Sequence, residues 1–296
     1  MTEKLKYVQT SRLEIAYEEK GDRKNLPIIL VHGFPDDVRT WDAVVSALVE
    51  AGYRTLTPYL RGFGRSRFLH EETPRSGQLT ALGQDVIDFA NALGIGKFIL
   101  VGHDWGARAG YVVSVARPDR VRALLAISVG YGTNNPGQVI SFAQARAYWY
   151  QWYFSTERGR VAIESDRKGF CRKLWETWSP GWHFDDETFE ETAKSFDNPN
   201  FVDIAIHSYR HRWGYAPGDP YYNNLEELVA NAKLITVPTI VIHGEDDGAT
   251  LPETSADKEK FFTNFYKRYV LSNVGHFVQR ENPDFVVKAI LELVRS

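Results

Sequence analysis

The chain has 296 residues, of which 43% are hydrophobic, 14% aromatic and 25% charged. That is enough apolar material for a large buried core, and it excludes a disordered chain, which is poor in aromatics. Thirty-five basic residues against 38 acidic leave a net charge of −3, so no nucleic-acid partner is expected, since that needs a basic face. A single cysteine, Cys171, excludes an intramolecular disulfide and a thiolate metal cluster. The first thirty residues are dotted with charge and hold no leader-like apolar stretch. No run approaches the roughly 18 apolar residues of a membrane span. The expectation is a cytoplasmic protein without a membrane partner; the sequence leaves a homodimer open.

In chain order, Lys4 to Thr10 and Leu13 to Glu19 alternate and predict an antiparallel pair at a sheet edge. Ile28-Ile29-Leu30-Val31 is a short apolar run of the kind that is buried on both faces in a parallel sheet. Helical spacing follows over Trp41 to Ala51 and over Thr80 to Leu93, the latter stopped by Gly94. Asp36-Asp37 reads as a helix-start signal before the first of these. Phe98-Ile99-Leu100-Val101 is a second buried strand, and Ala107 to Arg117 is a helix ended by Pro118. Strands alternating with helices predict an α/β fold with a mostly parallel, doubly wound sheet.

The texture changes from Tyr131 to about Asn231. Strand–helix alternation stops, the pattern becomes helical, and six of the eight tryptophans fall here. The rhythm resumes at Ile240-Val241-Ile242 and Tyr269-Val270-Leu271. The expected organisation is a core made of 1–130 and 232–296 with an inserted helical lid over 131–231.

Gly102-His103-Asp104-Trp105-Gly106 follows a buried strand and opens a helix. It has the spacing of a nucleophile elbow, with Asp104 where serine is usual. The glycines let strand and helix approach closely, and the helix N-terminus favours a carboxylate. A carboxylate nucleophile forms an ester, whose hydrolysis needs an activated water and therefore an oriented histidine. His276, in the loop after the last strand, fits the base. Asp247 is preferred to Asp246 as its partner, being three residues beyond Gly244. The order Asp104, Asp247, His276 is that of nucleophile, acid and base in this architecture. After the first parallel strand, His32-Gly33-Phe34-Pro35 offers the Phe34 N–H to an oxyanion hole shared with the N–H of Trp105.

These motifs, with Arg61-Gly62-Phe63-Gly64-Arg65-Ser66 and Gly275-His276-Phe277, resemble the α/β-hydrolase fold family. The resemblance covers Ile28 to Ile127 and Val237 to Leu293. It is strongest to the aspartate-nucleophile branch, that of soluble-type epoxide hydrolases and of haloalkane and haloacetate dehalogenases. It implies a cofactor-free hydrolase acting on a small-molecule epoxide or halogenated substrate. Epoxide hydrolases hold the departing oxygen with two lid tyrosines. The segments Tyr150-Gln151-Trp152-Tyr153-Phe154 and Tyr209-Arg210-His211-Arg212-Trp213 resemble those that carry them, which assigns the role to Tyr150 and Tyr209, with Tyr153 a rival for the first. Trp149, Trp152 and Tyr153 are expected to line the substrate pocket.

The dehalogenase alternative uses the same triad. Against the haloacetate type, Trp105 replaces one arginine and Gln151 a histidine, although Arg108 and Trp152 match. Against the haloalkane type, Trp105 fits but Phe34 does not. A ligand-binding receptor on a hydrolase scaffold is the remaining alternative. His207 and His211 have a metal-ligand spacing, but without an HExxH glutamate they read as a solvated face, and no metal is expected. His103 is expected to make a structural hydrogen bond, and His243 to be packed.

Overall fold

A computed structural model describes residues 5–133 and 137–295; Lys4, at the start of the first predicted strand, lies outside them. The sheet contains β1 (Lys6–Gln9), β2 (Leu13–Lys20), β3 (Pro27–Val31), β4 (Arg54–Pro58), β5 (Arg67–Phe68), β6 (Phe98–His103), β7 (Val121–Ile127), β8 (Thr239–Gly244) and β9 (Tyr266–Leu271). Its order is β1-β2-β4-β3-β6-β7-β8-β9, with β5 beside β2. The alternating N-terminal segments form an antiparallel edge pair, and β4 through β9 along that order run parallel. The fold is the α/β-hydrolase fold that the motifs imply.

The central strands are buried on both faces because their side chains alternate between two apolar layers. Ile28, Leu30, Ile99, Val101, Leu125, Ile127, Ile240 and Ile242 meet α1 (Asp42–Glu50) and the C-terminal helix α11 (Pro283–Arg295). On the other face, Ile29, Val31, Leu100, Leu124, Ala126 and Val241 join α2 (Leu79–Ala92) and α3 (Trp105–Ala116). Predicted helix boundaries are met within two residues. Trp41 is the exception in kind, since it closes a 3₁₀ turn at Val38–Trp41 that Asp37 caps by accepting from Arg39 N–H.

Between β7 and β8 lie α4 (Phe142–Ala147), α5 (Trp149–Phe154), α6 (Glu157–Ser165), α7 (Arg167–Trp178), α8 (Asp186–Ala193), α9 (Phe201–Arg212) and α10 (Asn223–Asn231). Trp175 and Trp178 of α7 are fully buried. Trp175 Nε1 donates to Pro35 O at 2.7 Å, so this helical segment is pinned onto the loop after β3. Among the described residues, no helix is long and apolar enough to cross a membrane.

The pairing Val31↔Gly102, His103↔Ile127, Ile127↔Ile242 and His243↔Val270 aligns the carboxyl ends of the parallel strands. The loops after β3, β6, β8 and β9 therefore open on one edge, where α/β sheets bind their ligands.

Candidate active site

Asp104 joins β6 to α3 with φ 49 and ψ −110, a conformation costly for a residue with a Cβ. The surroundings hold it there. A Cβ on Gly106 would stand 2.0 Å from Val31 O, and one on Gly102 would stand 2.3 Å from the backbone of Gly106. The glycines thus let α3 start against β3 and β6, which turns the Asp104 side chain toward the loop after β3. There the Phe34 N–H donates to Asp104 Oδ1 at 3.0 Å. Gly33 makes the approach possible, since a Cβ on it would lie 2.6 Å from Asp104 Cβ. Trp105 is the first residue of α3. His32, from the same loop, accepts from Leu60 N–H through Nε2 at 3.1 Å, and burial pushes its pKa down to about 4.

His276 Nδ1 lies 2.9 and 3.0 Å from the two oxygens of Asp247. Asp247 Oδ1 also accepts from Ala249 N–H and Thr250 N–H, each at 2.8 Å. Burial opposes ionisation of Asp247. The facing charge of His276 and its hydrogen bonds outweigh that and hold the carboxyl far below its usual range. Burial likewise opposes protonation of His276, but Asp247 raises its pKa above the ordinary value. With Nδ1 committed to Asp247, His276 Nε2 is buried without a hydrogen-bond partner. An unpartnered buried nitrogen is costly, and a bound water or reacting group would satisfy it.

The end of α7 sets this loop. His276 N–H donates to Trp178 O at 3.1 Å, and Gly275 N–H donates to Glu281 Oε2 at 2.8 Å. His103 Nε2 is 2.9 Å from His276 O, the structural bond expected of it. His243 is packed as expected, with Nδ1 on Ser255 Oγ. It also lies 3.3 Å from Asp247 Oδ2, a contact the sequence reading missed.

Two phenols complete the site. Tyr150 on α5 and Tyr209 on α9 are buried, with ring centroids 5.2 Å apart in an edge-to-face arrangement. Trp213 Nε1 donates to Gln151 Oε1 at 2.7 Å, which fixes the orientation of that amide, and Gln151 Nε2 donates to Tyr150 OH at 2.8 Å. Trp105 Nε1 donates to Tyr209 OH at 3.2 Å. Indole and amide nitrogens only donate, so each phenol oxygen acts as an acceptor towards them, and the two phenols also hydrogen-bond each other. Burial, then the Asp104 charge, raises the Tyr150 pKa; burial, then the proximity of Tyr150 and Asp104, raises that of Tyr209. Both stay protonated at neutral pH.

The three residues expected to line the pocket are less buried than the phenols. Trp149 is 41% exposed and touches the rings of Tyr150, Tyr153 and Phe170. Trp152 Nε1 donates to Ala145 O, and its ring packs on Trp213. Tyr153 is half-buried beside Trp149, away from Tyr209, whereas Tyr150 meets it. Helical geometry is the reason: Tyr150 and Phe154, four apart, share the inward face of α5, and the other three turn outward. The aromatic wall is formed by Phe34, Phe154, Trp178 and Phe201, all clustered around the Phe34 ring. His207 and His211 stack with centroids 5.7 Å apart, and among the described residues no group of His, Cys, Asp or Glu is arranged to hold a metal ion.

Comparison with known proteins agrees with this architecture. The family model described as alpha/beta hydrolase fold matches residues 27–283. A solved structure from Klebsiella pneumoniae, provisionally described as an epoxide hydrolase, is 37% identical with a TM-score of 0.95 and coverage of 99% of this chain and 98% of that one. The epoxide hydrolase of Caballeronia sordidicola is 26% identical over 98% of this chain and 93% of its own length. Epoxide hydrolase 4 of Homo sapiens is 24% identical over 98% of this chain and 78% of its own. The chain belongs to the alpha/beta hydrolase fold family and is a hydrolase.

Proposed function

We propose that the chain opens an epoxide to a diol through a covalent ester on Asp104, with the helical segment 131–231 acting as a lid over the core 1–130 and 232–296. The observation that carries this reading is the phenol pair. Tyr150 and Tyr209 have their oxygens engaged as acceptors by Gln151 Nε2 and Trp105 Nε1 and also bond each other, so a departing oxygen entering between them receives the protons the pair otherwise shares. The Asp104 carboxylate attacks one ring carbon, the carbon–oxygen bond breaks, and a phenol proton passes to the alkoxide. His276, oriented by Asp247, then takes a proton from water, which attacks the Asp104 carboxyl carbon. The Phe34 and Trp105 N–H groups receive the oxyanion; collapse expels the second diol oxygen, which takes the proton held by His276, and the proton of the re-formed Asp104 acid returns to the phenolate. The names of the relatives support the substrate class.

Halide departure finds less support, because the Trp105 indole N–H is already given to Tyr209. The test is intact mass on His276→Gln, which forms the ester but cannot hydrolyse it. Styrene oxide should add its whole mass. Adduct formation only with a bromoalkane, with loss of hydrogen bromide, would replace this reading with dehalogenation. With no adduct from either, the haloacetate and receptor alternatives would stand.

A further inference from the structure

Three arginines are buried among the described residues. Arg61 is paired, giving Nε and Nη2 to the two oxygens of Asp85 at 2.6 Å each. Arg108 gives Nη1 to Thr133 O and Thr133 Oγ1. Arg212, the last residue of α9, is 5% exposed, makes no ion pair among the described residues, and leaves both Nε and Nη2 without partners. Its guanidinium carbon lies over the Tyr209 ring, 4.9 Å from the centroid. Tyr209 stands three positions earlier on the same helix, so the two side chains share a face. Arg210 is spent differently: half-buried, it gives Nε to Phe154 O and Nη2 to Thr156 O and so seats α9 against the end of α5. That residue also supplies the cation that a helix C-terminus favours, and Arg212 need not be buried for that purpose.

A buried guanidinium without a carboxylate is expensive, and a fold gains nothing from it unless negative charge appears beside it. The proposed reaction creates such a charge. In the resting site the negative charge is on Asp104. When an Asp104 oxygen bonds to the ring carbon, the carbon–oxygen bond breaks towards oxygen, and that oxygen takes a phenol proton. Asp104 is then a neutral ester, and the phenol pair carries the charge. The hydrogen bond between the phenols lets it settle on Tyr209, whose oxygen also accepts from Trp105 Nε1. A phenolate shares its charge between oxygen and ring, so a cation over the ring face holds it more strongly than it holds a neutral phenol. The contact therefore favours the transition state over the resting enzyme, which is the condition for speeding a reaction. Burial raises the pKa of both phenols, and on both the Arg212 charge works the other way.

We propose that Arg212 is the counter-ion of the phenolate that ring opening leaves on Tyr209, a positioning residue that acts through the phenol rather than on the substrate. The inference deepens the epoxide reading and rests on it. His276→Gln, which should stop at the ester, serves as the parent for the test. Single-turnover rapid quench with styrene oxide, read by intact mass, gives the rate of ester formation. Arg212→Met in that parent should lower the rate by roughly tenfold to a hundredfold, and Arg212→Lys, which keeps the charge, should recover part of the loss. Ester formation in the parent should also bring up the ultraviolet difference band of tyrosinate. In the Arg212→Met adduct that band should be weakened or absent, which a residue that only shaped the pocket would not cause.

Thermal unfolding without substrate separates the roles again. Arg212→Met should unfold no lower than the parent, because an unpaired buried charge has been replaced by an apolar chain. An ester formed as fast in Arg212→Met as in the parent, an equal tyrosinate band in both, or a parent adduct without the band overturns the counter-ion. So does a Met variant that unfolds below the parent while the Lys variant reacts no faster than it, since the residue is then structural. No adduct in the parent at all overturns the epoxide reading, and the role of Arg212 falls with it.

Discussion

The backbone at Asp104 stores strain that two substitutions can isolate. At φ 49 and ψ −110, a residue with a Cβ stands about 1–3 kcal/mol above a relaxed conformation. Asp104→Ala and Asp104→Gly both remove the carboxylate and the hydrogen bond from Phe34 N–H, so those losses cancel between them. Ala keeps the strain and Gly releases it. Against that release, Gly gives the unfolded chain extra freedom, at a cost of about 0.5–1 kcal/mol. The Gly variant should therefore be the more stable by about 1 kcal/mol, within a range of roughly 0–2.5 kcal/mol. Urea denaturation followed by far-UV circular dichroism reads the difference as a higher midpoint at equal slope. A thermal scan should show a gain of about 2–4 °C for each kcal/mol. Neither variant should turn over an epoxide. An Ala variant at least as stable as the Gly variant, at any comparable slope, refutes the claim that the elbow is strained.

Other substitutions test the rest of the site. In Gly33→Ala the new Cβ would meet Asp104 Cβ at 2.6 Å and His103 O at 2.7 Å; shifting Asp104 off the Phe34 N–H should lower kcat/KM by about two orders of magnitude, and near-normal activity would show that the loop can yield. Tyr150→Phe should slow ester formation in single-turnover rapid-quench measurements by about 10²-fold or more, while Tyr153→Phe, whose ring faces away, leaves it unchanged; equal effects would move the acid role off Tyr150. Because His276 acts as the base only when neutral and Asp247 raises its pKa, ester hydrolysis should fall as pH drops through a value above about 6.5. Its linked stability has the opposite sign, present below the unfolded pKa and lost as pH rises through the folded one. A pH–rate profile with its acid limb below 6 would contradict that shift.

The strand–helix rhythm was readable because buried parallel strands are continuous apolar runs, and the elbow because its glycines answer contacts of 2.0–2.3 Å that admit no side chain. The wall of the site was not readable, for an equally physical reason. In Trp149-Tyr150-Gln151-Trp152-Tyr153-Phe154 only one residue is not aromatic, so hydrophobic periodicity cannot tell the inward face of α5 from the outward one. The one polar member, Gln151, was the usable signal, since a buried amide in an aromatic run must have partners, and here they are Tyr150 and Trp213. Phe34, Trp178 and Phe201 come from three separate elements and meet only in the folded chain. Arg212 sits in the consecutive basic run Arg210-His211-Arg212, which reads as a solvated helix face, yet it is buried.

One short loop coordinates the two halves of the site. The loop after β3 supplies the Phe34 N–H to Asp104, and its next three residues tie down the helical segment. Pro35 O accepts from the Trp175 indole, and Asp36 binds Arg280, whose guanidinium also reaches Thr192 Oγ1 at 2.8 Å. Asp37 accepts from Ser195 Oγ, and burial followed by the neighbouring Asp36 charge pushes its carboxyl up to about 7. The contacts that orient the Asp104 carboxylate and those that seat α7, α8 and the turn after α8 thus share four consecutive residues. On the proposed mechanism this shared anchorage holds the helical segment and the donor on Asp104 in one frame, and in-line opening of a three-membered ring needs that, since attack and proton donation act on opposite sides of one small group.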